Sequence, residues 1–142
     1  MALVDDATLK QIIVGGDSKM LVATAEQVGK ALAVQYRLTT SQVRGIFGTV
    51  RQIEMDWLHS SAVDQTEERS GRERRAQREL HLLKPRIAYQ AKHERGRGVE
   101  ELGQVLTKAI DQIEDQPDRF RNFVDFFEAI LAYHRANGGS NN

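Results

Sequence analysis

The chain has 142 residues and a mass of 16.0 kDa, and its 20 Lys and Arg are matched by 20 Asp and Glu, for a formal charge of zero. That length suits one domain, 40% hydrophobic with 28% charged residues excludes general disorder, and no run approaches the ~18 apolar residues that a membrane span requires. The absence of cysteine excludes disulfides, zinc ribbons, iron–sulfur sites and thiol nucleophiles, and Met1 to Asp6 lack the basic-then-apolar order of a secretory signal, so a cytoplasmic location is expected.

A first short helix is predicted over Ala7 to Val14, closed by Gly15-Gly16. Gly15-Gly16-Asp17-Ser18-Lys19 lacks the spacing of a phosphate loop and reads as a helix break with an N-cap. Over residues 18–37, Leu21, Ala25, Val28, Leu32 and Tyr36 form one apolar stripe at helical spacing. Thr39 and Gln42 fit a capping box, in which each side chain satisfies an otherwise unpaired backbone N–H. The helix this opens, about 40–59, should bury Val43, Ile46, Phe47, Val50, Ile53 and Trp57.

Residues 60–79 have almost no large apolar side chain to offset ordering entropy, which predicts a mobile loop at about 60–73 that becomes helical near Arg74. Pro85 fits the first turn of a new short helix running to Glu94, because a proline there gives up an N–H that is unpaired anyway. Gly96-Arg97-Gly98 ends it. Val99, Leu102, Leu106, Ile110 and Ile113 make the next stripe, stopping before Gln116-Pro117-Asp118. A last helix over 118–136 carries Phe120, Phe123, Val124, Phe127, Ile130, Leu131 and His134 on one side and stops at Asn137-Gly138-Gly139, a left-handed cap signal. The fold predicted for residues 1–142 is all-α, a single compact bundle of about five or six helices.

The zero net charge is unevenly spread. Residues 65–98 hold 10 basic against 5 acidic groups, and residues 99–142 hold 4 basic against 8 acidic. Eight of those ten basic residues are Arg, whose planar fork suits phosphate oxygens. A locally basic block is compatible with a polyanion partner and equally with a solvated helix surface.

Catalytic chemistry finds no support. His93-Glu94 begins like H-E-x-x-H, but position 97 is Arg, so the second metal ligand is missing, and neither His59 nor His81 has a partner at ligand spacing. His134 falls in an apolar stripe, as a hydrogen-bonded core or interface residue or as a functional group. No G-x-S-x-G elbow occurs, and Glu128 reads with Arg121, Asp125 and Arg135 as a surface ion-pair network. No enzyme, metal or cofactor is expected.

Two basic surfaces remain. Arg44, Gly48, Arg51 and Met55 run along one line of the helix at 40–59, and the interior glycines Gly45 and Gly48 point to close approach by a partner or to tight packing against a neighbouring helix. Arg86, Tyr89 and His93 share a face, surrounded by Lys84, Lys92, Arg95 and Arg97. Basic groups interleaved with an aromatic suit a nucleic-acid backbone with an exposed base nearby, although Tyr89 also fits a core position.

Three segments together resemble the small subunit of type III-A CRISPR effector complexes, the Csm family. They are Leu38 to Arg44 (LTTSQVR), Leu82 to Tyr89 (LLKPRIAY) and Phe126 to Gly139 (FFEAILAYHRANGG). The resemblance implies a small all-helical protein without catalytic activity, several copies of which stack beside the backbone subunits and hold guide RNA and target RNA through sugar–phosphate contacts. The family's basic positions map to Arg44, Arg51, Lys84 and Arg86. With Tyr89, Lys92, Arg95 and Arg97 these make the candidate RNA-binding set, with other Csm subunits and further copies of the chain as protein partners. The alternative is a helical scaffold that self-associates without touching RNA.

Overall fold

The computed structural model describes residues 2–58 and 67–139, the latter with side chains from Ser70 onward. Among these residues run six α-helices, α1 (Asp6–Ile13), α2 (Ser18–Lys30), α3 (Thr40–Leu58), α4 (Glu67–His93), α5 (Gly98–Asp111) and α6 (Pro117–Ala136), and no strand. The predicted all-α bundle is therefore the fold of the chain.

Local chemistry sets most of the helix starts. Asp5 accepts the Thr8 N–H at 2.7 Å to begin α1, and Asp17 accepts the Met20 N–H at 3.0 Å to begin α2. The capping box forms as the sequence predicts. The Thr39 N–H donates to Gln42 Oε1 at 3.0 Å, and the Gln42 N–H donates to Thr39 Oγ1 at 3.2 Å. Pro117 opens α6, where its missing N–H costs nothing.

The helix predicted over 18–37 is regular only to Lys30. Over Ala31–Gln35 it widens into a π turn in which the Tyr36 N–H donates to Ala31 O at 3.0 Å. Arg37 then takes a left-handed conformation (φ 52°), and the Leu38 N–H donates to Leu32 O at 2.8 Å. Both Leu32 and Leu38 are buried, so the widened turn lets the chain change direction without lifting either leucine out of the core.

Two sequence expectations are corrected in α4. Pro85 does not open a helix; it lies inside one of 27 residues. The stripe Ala76, Leu80, Leu83 and Ile87 (i, i+4, i+7, i+11) is buried without interruption across the proline, against α3 and α5. Burying each leucine or isoleucine contributes about 1.5–3 kcal/mol, which together outweighs the ~3 kcal/mol cost of an interior proline. Pro85 is itself exposed, on the solvent side of the stripe.

The second correction concerns the loop expected at about 60–73. Residues 59–66, His59 among them, lie outside the described residues, while 67–73 are helical, so α4 begins ahead of Arg74. Glu and Arg are strong helix formers, so this turn forms without large apolar side chains.

One hydrophobic core joins all six helices, with Phe120, Phe123, Phe126 and Phe127 of α6 fully buried at its centre. Trp57 stacks on Phe120 with ring centroids 4.9 Å apart, and Phe47 meets Phe127 edge-on at 5.2 Å. α2 lies so close to α6 that a Cβ on Gly29 would fall 2.7 Å from the Ile130 carbonyl oxygen and 2.8 Å from the His134 nitrogen. Only a glycine fits there. No described helix is long and apolar enough to cross a membrane.

Candidate nucleic-acid interface

Five chain segments converge at one end of the bundle: the exit of α2, the entry of α3, the exit of α4, the entry of α5 and the exit of α6. The capping glutamine ties the entry of α3 to the exit of α4 and the turn that follows it. Gln42 Nε2 donates to Glu94 Oε2 and to Arg95 O, both at 3.3 Å, and Gln90 Nε2 donates back to Gln42 O. Leu38 fills the space above Gly98 and offers its carbonyl to the buried His134 ring. His134 is thus the hydrogen-bonded core residue of the two readings its position allowed, with 1% of its surface exposed.

The predicted cations divide by the company they keep. On α3, Arg51 is bound to Glu54 at 2.9 Å and to Glu128 of α6 at 3.5 Å, with its guanidinium 5.9 Å over the Phe47 ring. On α4, Lys84 is paired with Asp111 and Arg86 with Glu79 at 3.0 Å. Arg97 pairs at 3.1 Å with Glu101, a carboxylate only 3% exposed on α5. Arg44, Lys92 and Arg95 have no carboxylate partner among the described residues. A cation already held by a carboxylate must give up that pair to meet a phosphate; a free one need not.

The structure brings Arg44 and Arg95 to the converging end, since both flank the Gln42 cap, and leaves Arg51, Lys84 and Arg86 along the sides of the bundle. It also adds two arginines outside the predicted set. Arg37 is exposed in its left-handed position beside Leu38, and Arg135 lines the same groove as Arg44. Neither has a carboxylate partner among the described residues. In sequence Arg135 reads as part of a surface ion-pair network with Glu128, Arg121 and Asp125, and nothing there shows that its edge of α6 faces Arg44 of α3.

Tyr89 is 68% exposed and lies against His93, ring centroids 4.3 Å apart. With Pro85, Arg86 and Gln90 the pair lines a shallow surface depression, so Tyr89 is a surface aromatic and not a core residue. Gly45 and Gly48 are exposed as well. A Cβ at either position meets nothing within 4 Å, which removes internal helix packing as the reason for these glycines. The outer face of α3 between Arg44 and Arg51 is bare backbone.

A groove of about 310 Å³ separates α3 from α6, walled by Val43, Phe47, Leu131 and Ala132 and flanked by Arg44, Arg135 and Glu128. Thr40 closes one end, and its Oγ1 is buried without a hydrogen-bond partner among the described residues. Next to this groove Asp125 has its carboxyl pushed up from the usual aspartate range, by desolvation first and then by Glu128 and Glu54, partly offset by Arg121. No group of three or more His, Asp or Glu among the described residues is arranged to hold a metal.

A family model described as Csm2 Type III-A matches residues 16–140 of the chain, from just before α2 to just past α6. The match includes the three segments quoted above and extends in front of them by the whole of α2. No curated protein and no solved structure matches the chain.

Proposed function

The chain belongs to the Csm2 type III-A family, and from that premise we propose that it is a non-catalytic small subunit of a type III-A CRISPR–Cas (Csm) ribonucleoprotein effector. In this reading it works in the cytoplasm, stacks along the complex beside other Csm subunits and further copies of itself, and holds the backbones of guide RNA and target RNA without sequence preference.

One observation carries the RNA part of the proposal. Arg44, Arg95 and Arg135, with Arg37 beside them, gather at the converging end with no carboxylate partner among the described residues. Guanidiniums in that state are available to phosphate oxygens, and phosphate contacts position a protein on nucleic acid without reading its sequence.

The test is binding of single-stranded RNA by the purified chain across a salt series. Affinity should fall with rising salt, with a log–log slope of about −0.7 for each phosphate engaged, and should vary little among sequences. Removing charge at Arg44, Arg51, Lys84 and Arg86 together should weaken binding to all sequences alike. Unchanged RNA affinity and unchanged complex assembly in that variant would remove those residues from the site.

A second reading, the self-associating scaffold without RNA contact, is favoured by the ion pairs of Arg51, Lys84, Arg86 and Arg97, which satisfy four of the seven predicted cations internally. Salt-insensitive behaviour toward RNA combined with concentration-dependent self-association would select it.

A further inference from the structure

The groove between α3 and α6 has a composition that the sugar–phosphate reading does not use. Its walls are apolar side chains from both helices, Val43 and Phe47 on one side and Leu131 and Ala132 on the other. Its rim carries two guanidiniums, Arg44 and Arg135, with no carboxylate partner among the described residues, and one carboxylate, Glu128, which Arg51 holds at 3.5 Å. Phosphate contacts alone need the rim and not the walls.

We propose that this groove is a binding site for one unstacked base of a single-stranded RNA, with Arg44 and Arg135 holding the phosphates on either side of it. The inference rests on the RNA-binding reading above and goes past it, because it assigns a place to a base as well as to the backbone.

Three features support that occupant. About 310 Å³ lies at the lower end of the roughly 300–1,000 Å³ of ligand pockets, a size that admits one base and not a helix. An apolar slot beside paired cations complements a nucleotide, whose flat apolar ring is tied to an anion a few ångströms away. The bare backbone at Gly45 and Gly48, on the outer face of α3 beside Arg44, leaves room for the strand to run close to the helix on its way to the slot.

The experiment compares two oligomers of equal length and charge, oligoadenylate and the same ribose–phosphate chain without bases, on the purified full chain. It is repeated with Ala132→Trp, which fills the slot from an exposed position of α6 and leaves the core and both arginines in place. The wild type should bind the base-bearing oligomer about tenfold more tightly than the abasic one. Ala132→Trp should abolish that preference and keep the salt slope.

Equal affinity for the two oligomers in the wild type, with normal salt dependence, overturns the slot assignment and leaves the RNA-binding reading standing. Absence of salt-dependent binding to either oligomer overturns both. Ala132→Trp with its base preference intact but with complex assembly lost identifies the slot as a protein-docking groove and overturns the inference. Circular dichroism and the unfolding midpoint of the variant show that it is folded.

Discussion

The Nε2 of His134 lies 2.5 Å from the carbonyl oxygen of Leu38, joining the last turn of α6 to the segment between α2 and α3 across 96 residues of sequence. A carbonyl oxygen only accepts, so the imidazole carries its proton on Nε2. Gly139 closes over the same ring, where any Cβ would fall 2.2 Å from the imidazole Cε1. The end of the bundle at which the free arginines gather is held in shape by this buried bond.

His134→Ala should therefore lower stability by about 3 kcal/mol, since it opens a cavity and leaves the buried Leu38 carbonyl unpaired. His134→Gln, which can still donate, should recover part of the loss. Urea unfolding followed by the fluorescence of Trp57, the single tryptophan, measures both. Equal stability of His134→Ala and wild type would show that the bond does not tie the end together.

The glycines should separate into two kinds. At Gly29 an alanine methyl meets the backbone of α6 at 2.7–2.8 Å, and backbone cannot swing aside, so Gly29→Ala should cost about 2 kcal/mol or more. At Gly45 and Gly48 the methyl enters open space inside a helix, and alanine there should raise stability by about 0.5–1 kcal/mol per site. If the open face of α3 serves a strand of RNA, the stabilised double variant binds RNA no better than wild type and loses affinity where the methyls stand in the way. Parallel thermal unfolding and RNA titration of the three variants check this.

Periodicity and capping chemistry made much of this fold legible. The stripes of α5 and α6, the Thr39–Gln42 box and the Asp17 cap are local patterns whose physics lies within a few residues. Pro85 was misread because the local rule for proline competes with a tertiary one: the buried run from Ala76 to Ile87 decides, and it is visible only when the stripe is carried across the proline. That break also hid an ion pair. Glu79 and Arg86, seven apart, share a face only if α4 is continuous. The candidate site was legible in residue type and not in availability, since the pairing of Lys84 with Asp111 or of Arg51 with Glu128 joins helices whose mutual placement is a tertiary matter.

Acidity should act in opposite senses at two aspartates. Burial, with the nearby Glu128 and Glu54, raises the Asp125 carboxyl above its unfolded value, so the folded chain holds that proton more tightly than the unfolded one. The contribution of Asp125 to stability thus falls as pH rises from the ordinary aspartate value through the raised one, and Asp125→Asn should stabilise the protein at neutral pH and lose that advantage in acid. Asp5 is the reverse case, lowered by its bonds to Thr8, so its contribution is present above the ordinary aspartate value and is lost as pH falls through the lowered one. Carboxyl chemical shifts followed by NMR through an acid titration give both signs directly.

The division between held and free cations makes the sharpest prediction about function. Two triple variants remove the same formal charge: Arg44, Arg95 and Arg135 to Gln, and Arg51, Lys84 and Arg86 to Gln. If total charge governed RNA binding, the two would be equivalent. The second set must first leave Glu54, Glu128, Asp111 and Glu79, whereas the first set leaves no carboxylate among the described residues. The first variant should therefore lose more affinity, and its salt slope should flatten by about 0.7 for each phosphate contact removed, while the second changes the slope little. Glu128→Gln is the converse experiment, because it loosens one of the two carboxylates on Arg51 and should strengthen binding in low salt by a few-fold, an effect that screening removes as salt rises. Equal losses in the two triple variants, with no gain in Glu128→Gln, would mean that the ion pairs on the sides of the bundle exchange freely with phosphate and that charge alone, wherever it sits, sets the affinity.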